Sequence, residues 1–311
     1  KLANRYHYKC CILTTSGTMA LTFTSLQFIE TRQGFRDDAL VPAYGVISVP
    51  NAFREAGYDV WFADIDRRAG CMSPDSFHKH LSNKSRTYLV CLVHFSGSLS
   101  AASWAIAQVC LNLNIPVIED AACLIGAGNA RGTPGMSSEA TILSFSVPKF
   151  ITMGQGGAVL TDNEELAEAV YGLTDQGGHD WRKTGIHESV GTNARLTDIQ
   201  AAFGLAQLDD WDARYQRKKT CYTILKQKLG DKLFSTAQGD PPLHNIVFAD
   251  NPKQLIAKLQ PWGIDARQQY TVYNRHPAYN YDKGKYPNAE WWADHAVYLP
   301  FGMGMTTDEA E

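Results

Sequence analysis

The sequence predicts an α/β fold, a mostly parallel sheet with helices on both faces, followed by a smaller C-terminal α+β lobe. Three observations carry this. Short apolar runs alternate with longer amphipathic stretches, the rhythm of repeated strand–helix–strand units. Several short runs are apolar throughout, such as Tyr88-Leu-Val-Cys-Leu-Val93, as strands buried on both faces require. After Asn193 the rhythm stops and a long helical stretch begins.

Strands are predicted at Cys10–Leu13, Ala39–Pro42, Asp59–Ala63, Thr87–His94, Pro116–Glu119, Thr141–Ser144 and Gly157–Thr161. Between them lie helix-length segments at Thr18–Phe28, Val49–Ala56, Pro74–Leu81 and Ser103–Leu113. Ser73-Pro74 reads as a cap followed by proline at the first helical position. From Asp198 to Leu229 one nearly unbroken helix is expected, with apolar Ile199, Ala202, Phe203, Ala206 and Leu208. Ile246–Phe248 follows as a strand, Pro252–Gln260 as a helix, and the rest as a loop-rich aromatic tail. The expected division is a large domain over residues 1–208 and a small one over 209–311, within the range 311 residues allow.

Composition excludes several classes. Net charge is −3, and the densest basic run, Arg214 to Lys219, has acids close by, so nucleic acid is not an expected partner. No apolar stretch approaches the ~20 residues that span a bilayer, and the first residues lack the apolar segment of a signal peptide. Seven scattered cysteines without a C-x-x-C pair suit neither a disulfide framework nor a zinc site. Reduced thiols in the cytoplasm, and no metal, are the expectation.

Three elements carry chemistry. Asp120 ends the run Val117-Ile-Glu-Asp120, where ligands bind in open α/β sheets; alone, it reads first as a cap for a following helix. Lys149 follows Ser144-Phe-Ser-Val-Pro and precedes the turn Gly154-Gln-Gly-Gly157; a lysine so placed is ordinarily a solvated surface residue. Thr15-Ser-Gly17-Thr18 opens a helix, whose unpaired amides and dipole favour an anion, or are simply capped. Together, an amine, a strand-end acid and a phosphate cradle are the groups that pyridoxal 5'-phosphate needs.

With these residues in place, the sequence resembles the DegT/DnrJ/EryC1/StrS sugar aminotransferases, of the type I pyridoxal-phosphate fold. The resemblance runs from about Thr14 to Leu208, with a weaker echo beyond. Its blocks stand in family order: Ser16-Gly-Thr-Met-Ala-Leu21, Val41-Pro-Ala-Tyr44, Ala63-Asp-Ile-Asp66, Val93-His94, Ile118-Glu-Asp-Ala-Ala122, Ser144-Phe-Ser-Val-Pro-Lys149, Gly154-Gln-Gly-Gly157 and Gly191-Thr-Asn-Ala-Arg-Leu-Thr-Asp-Ile-Gln-Ala-Ala202. The resemblance implies that Lys149 is the Schiff-base lysine and moves protons, and that Asp120 pairs with the pyridine nitrogen. It implies that Gly17, Thr18 and Ser144 hold the phosphate. Asn193 matches an asparagine lent to the partner subunit's phosphate, which implies a homodimer. Arg267, Tyr270 and His276 lie where the family's small lobe approaches the sugar, and His94 lies beside the cofactor as a pocket-lining or structural histidine.

The pattern is broken in three places. Val46 stands where the family usually has an aromatic residue stacked on the cofactor ring. Cys123 replaces the usual glutamine that reaches the ring hydroxyl, and a thiol is a weak donor. The chain also looks short at both ends against the family, with Met305–Glu311 reading as the opening of a helix; a fragment and a compact variant are both open. The implied activity is transfer of an amino group from an amino acid, glutamate first, to the keto group of a nucleotide-linked deoxysugar. A non-catalytic cofactor or sugar-nucleotide sensor is the alternative, while the related sugar dehydratases carry histidine where Lys149 stands.

Overall fold

The structure is a computed structural model that describes residues 1–29, 37–83, 88–124, 138–178 and 180–311. Its large sheet contains β1 (Cys10–Thr14), β2 (Asp38–Pro42), β3 (Asp59–Ala63), β4 (Leu89–Val93), β5 (Val117–Asp120), β6 (Ala140–Ser144) and β7 (Gly157–Thr161). In space the order is β1-β7-β6-β5-β4-β2-β3. Only β7 runs against its neighbours, β1 and β6; the other pairs are parallel. A second sheet pairs β8 (Asn245–Phe248) with β9 (Ala296–Leu299), antiparallel. The mostly parallel α/β fold read from the apolar runs is the one observed. The predicted Thr87–His94 strand is β4, with Thr87 itself outside the described residues.

The helices are α1 (Leu2–Tyr6), α2 (Gly17–Leu26), α3 (Ser48–Glu55), α4 (Pro74–Asn83), α5 (Ala101–Asn112), α6 (Glu164–Thr174), α7 (Trp181–Thr184), α8 (Asp198–Asp209), α9 (Trp211–Leu229), α10 (Pro252–Leu259), α11 (Pro287–His295) and α12 (Thr307–Ala310). Helix α2 is buried on most sides, from Ala20 through Ser25, because it lies against β6 and β7. Its weak amphipathicity follows from that position: a helix enclosed all round has no polar face to present. Among the described residues no helix is long and apolar enough to cross a membrane. All seven cysteines are free.

Two expectations are corrected. The stretch from Asp198 to Leu229 is two helices, broken at Asp210, whose φ of −98° and ψ of 16° leave the helical region. The break turns Trp211 inward, where it meets Phe150 edge-on with ring centroids 6.1 Å apart. Within α8 only Gly204 is buried, lying against the Met153 side chain, while Ile199 and Phe203 are 73% and 63% exposed. The C-terminal tail is also more ordered than its aromatic, loop-like sequence suggests, since it holds α11 and β9. Helix α11 has no side-chain cap of its own; the Asp64 carboxylate accepts from Asn288 N–H at 3.1 Å and Ala289 N–H at 2.9 Å. That acid sits more than 220 positions earlier in the chain, at the end of β3, so no local reading of the tail contains the capping group.

The two sheets share a core. Ile246, Tyr298 and Trp292 belong to the same buried cluster as Val41, Phe62 and Cys91 from the large sheet. The carboxyl ends of β4, β5 and β6 therefore face a wall made from the C-terminal part of the chain.

Candidate active site

A cavity of about 330 Å³ opens at the carboxyl ends of β4, β5 and β6, the position at which open α/β sheets bind ligands. Its size suits a cofactor or small substrate. Gly17, Thr18, Val46, His94, Asp120, Cys123, Ser144, Lys149 and Tyr270 all line it. Asn193, Arg267 and His276 do not. Asn193 pairs through its backbone with Asp175, Arg267 pairs with Asp265 and through its backbone with Tyr298, and His276 lies between two short 3₁₀ turns.

The floor is built from the sheet. Asp120 ends β5, and its Oδ1 accepts from Ala122 N–H at 2.9 Å, so the carboxylate closes the turn that follows. No partner holds Oδ2 among the described residues. Burial pushes the Asp120 carboxyl up, while the Ala122 N–H and the charges of Lys149 and His94 pull the other way. His94, at the end of β4, is 4% exposed and meets Glu119 Oε2 through Nε2 at 2.7 Å. One of its ring nitrogens is thus bound in a pair with Glu119, and Nδ1 has no partner among the described residues.

The cradle is the start of α2. Ser16 caps the helix by accepting from Met19 N–H at 3.1 Å, leaving the amides of Gly17 and Thr18 free of that bond. Gly17 lets the helix start close on β6, since a Cβ there would stand 3.0 Å from the Ser144 Cβ and 3.3 Å from its Oγ. The approach of β7 is tighter still. A Cβ on Gly157 would lie 2.4 Å from the Ser16 carbonyl and 2.5 Å from the Gly17 nitrogen. Gly157, the last glycine of the sequence block, therefore allows the strand to press against the helix start, and so shapes the cradle.

Lys149 follows β6 on a turn closed by its N–H to Ser146 O at 3.0 Å. Its Nζ donates to Cys123 Sγ at 3.4 Å. Burial pushes the Cys123 thiol up, and the lysine charge opposes that shift. Val46 lines the cavity, as the sequence places it, and its carbonyl accepts from Tyr273 Oη at 3.0 Å.

The remaining wall was not legible in the sequence. Phe95, His244, Gln269 and Tyr270 line it, yet only Tyr270 is singled out by motif. Ser96 ties this wall to the sheet from a left-handed backbone, φ 52° and ψ 18°, which is rare for a residue with a side chain. Its carbonyl accepts from Leu243 N–H at 2.8 Å, and its Oγ accepts from His244 N–H at 3.0 Å. His244 precedes β8 in a proline-rich loop, and neither a spacing nor a neighbouring motif marks it.

These residues fit pyridoxal phosphate. A primary amine, a buried carboxylate with a free oxygen, and a helix start with open amides beside Gly17 and Ser144 form one enclosed set. The amine would hold the cofactor, the acid its ring nitrogen and the cradle its phosphate.

Residues 1–311 match the profile of the DegT/DnrJ/EryC1/StrS aminotransferase family. Among curated relatives, the chain is 27% identical to GDP-perosamine synthase of Escherichia coli O157:H7, covering 99% of this chain and 85% of that protein. It is also 27% identical, with the same coverage, to the UDP-2-acetamido-2-deoxy-3-oxo-D-glucuronate aminotransferase of Pseudomonas aeruginosa. Among solved structures, Helicobacter pylori PseC, an aminotransferase involved in the biosynthesis of pseudoaminic acid, superposes with a TM-score of 0.88. The match is at 22% identity, covering 99% of this chain and 86% of that one.

Proposed function

The chain belongs to the DegT/DnrJ/EryC1/StrS aminotransferase family and is a pyridoxal-phosphate-dependent transaminase, and we propose that it moves an amino group from an amino acid, glutamate first, to a keto group on a nucleotide-linked deoxysugar. The observation that carries this reading is the single cavity in which Lys149, Asp120, Ser144 and the start of α2 meet. The relatives support the sugar substrate, being named for GDP- and UDP-linked sugars.

The bound cofactor supplies an electron sink that stabilises negative charge on the substrate carbon. The protein's part is to hold and to move protons. In the proposed roles the α2 amides and the Ser144 hydroxyl bind the phosphate oxygens, and the buried Asp120 carboxylate keeps a proton on the ring nitrogen. A positive ring nitrogen beside Asp120 would offset the burial that now raises its carboxyl. Lys149 Nζ takes a proton from the substrate carbon and returns it elsewhere, which requires an amine free to change its protonation state. Its one side-chain partner among the described residues, the Cys123 thiol, makes only a weak hydrogen bond. Arg267 and His276, outside the cavity of the single chain, are assigned no contact in this reading.

A homodimer with shared sites completes the proposal. Ile199 and Phe203 are exposed apolar side chains on α8, and Val147 and Val190 are exposed elsewhere; such side chains suit burial against a second copy. In that arrangement Asn193 serves the partner subunit's cavity.

The absorbance spectrum with added cofactor, before and after glutamate, tests the reading. A visible band that needs Lys149, and that glutamate converts, is expected. No such band in a folded protein, or one unmoved by any amino donor, would overturn it. The shared site has its own test. Mixed dimers of Lys149→Ala and Asn193→Ala chains should regain activity, since one cavity then holds both native residues. No recovery on mixing would rule the shared site out.

A further inference from the structure

The cavity presents an electrostatic problem. Among the described residues its lining side chains include one cation, Lys149, and no arginine, yet an amino-acid donor carries a carboxylate. A carboxylate enclosed without a partner is costly, so a donor and a positive charge elsewhere in the wall would favour its binding.

His244 supplies the donor. It is 2% exposed, lines the cavity, and is packed among Phe95, Tyr270, Tyr298 and Phe301, with the Phe301 ring centroid 4.6 Å away. Its Nδ1 meets Ser96 Oγ at 3.2 Å. That oxygen already accepts from His244 N–H, and its own proton has no other acceptor among the described residues, so the serine hydroxyl donates to Nδ1. The ring proton is then on Nε2, the one polar atom of the side chain without a partner among the described residues. Burial, with Lys149 and Lys218 nearby, holds the imidazole well below its usual range, so it stays a neutral donor.

Lys218 supplies the charge. It projects from α9, is 4% exposed, and donates to Leu243 O at 3.3 Å and Phe301 O at 3.1 Å. One carbonyl belongs to the residue before His244 and the other to the residue whose ring packs against it. No carboxylate pairs with this ammonium among the described residues. The fold thus holds an uncompensated cation behind a locked N–H donor, an arrangement that stability alone does not favour.

We propose that His244 Nε2–H, with Lys218 behind it, is the subsite for a carboxylate of the amino-acid donor. Histidine touches the carboxylate; lysine acts through the field it sets up and through the carbonyls it holds. The proposal rests on the reading of this cavity as an amino-acid-dependent transaminase site, and it names the part of the site that reading leaves without a partner.

The test uses the holoenzyme with glutarate, a five-carbon dicarboxylate that cannot donate an amino group, and glutaramide, its uncharged diamide. With ¹⁵N-labelled histidine, the Nε2 signal of His244 should carry the proton and move with glutarate but not with glutaramide. His244→Phe, which keeps the aromatic packing, should weaken glutarate about ten- to a hundredfold, the worth of a hydrogen bond to a charged group. His244→Gln, which restores an N–H donor, should recover part of it, and Lys218→Met should weaken glutarate with His244 intact. An unmoved Nε2 signal at saturating glutarate would sink the proposal, and this measurement needs no variant that must fold. Unchanged glutarate affinity in His244→Phe would sink it equally. The cofactor band separates the two readings: its presence alongside either failure removes only the subsite, whereas its absence from the unmodified protein removes the transaminase site itself.

Discussion

The two halves of the cavity are made differently. The sheet side is backbone: strand ends, a helix start, and glycines that let β7 press on α2. The opposite side is side chain, with His244, Tyr270 and Phe95 interlocked and backed by Tyr44, Tyr298 and Trp292. Backbone geometry is set by short segments, whereas an aromatic wall is assembled from residues hundreds of positions apart. The first half therefore tolerates little change in shape, and the second little change in polarity.

Four measurements would break or sharpen that contrast. The largest effect is expected at the sheet end: Asp120→Asn should slow glutamate-driven conversion of the cofactor band about a hundredfold or more, since the amide carries no charge to hold the ring proton. An unaffected rate would mean the acid is only a turn cap. Next, Gly157→Ala places a methyl against the Ser16 carbonyl and the Gly17 nitrogen, backbone atoms that cannot step aside. About 1–3 kcal/mol of stability should be lost, together with cofactor affinity, in chemical denaturation and cofactor titration. If affinity survives, the cradle is not shaped by β7.

On the aromatic side, Tyr44→Phe removes one partner of the buried Tyr44–Tyr298 pair, whose hydroxyl oxygens are 2.9 Å apart. A stability loss of about 1–3 kcal/mol is expected, with cofactor affinity nearly unchanged. Equal loss of both would erase the distinction between the halves. The smallest effect is a matter of pH. Burial lowers the Lys218 ammonium to about 8, below its unfolded value, so the unfolded chain binds the extra proton above that point. Native stability should therefore rise from about pH 8 toward 10 relative to Lys218→Met. Parallel profiles for the two proteins would show that the lysine is not held as described.

The same contrast explains what could be read from sequence. Buried strands and the elements at their ends announce themselves locally: Ile118–Asp120, the Ser16–Thr18 helix start and Lys149 all fall where motif and apolar pattern put them. Helix α6 also carries a local signal, Asn163 capping Leu166 N–H. Helix α11 carries none, because its cap is Asp64. The break at Asp210 was hidden by continuous helical propensity on both sides, and what decides it is Trp211 turning in to meet Phe150. His244 is unmarked in the sequence for a related reason. Its meaning depends on Ser96 and Lys218, neither of which is near it in the chain.

Ser96 has a role beyond fixing one tautomer. Its carbonyl and hydroxyl grip consecutive residues of the aromatic side, while its own chain continues the end of β4 and reaches Gly97, where a Cβ would meet the Cys123 carbonyl at 2.8 Å. It works as a spacer of fixed length between two walls that otherwise have independent origins. The separation of the two walls is then tied to backbone hydrogen bonds at one residue, and not to aromatic packing alone.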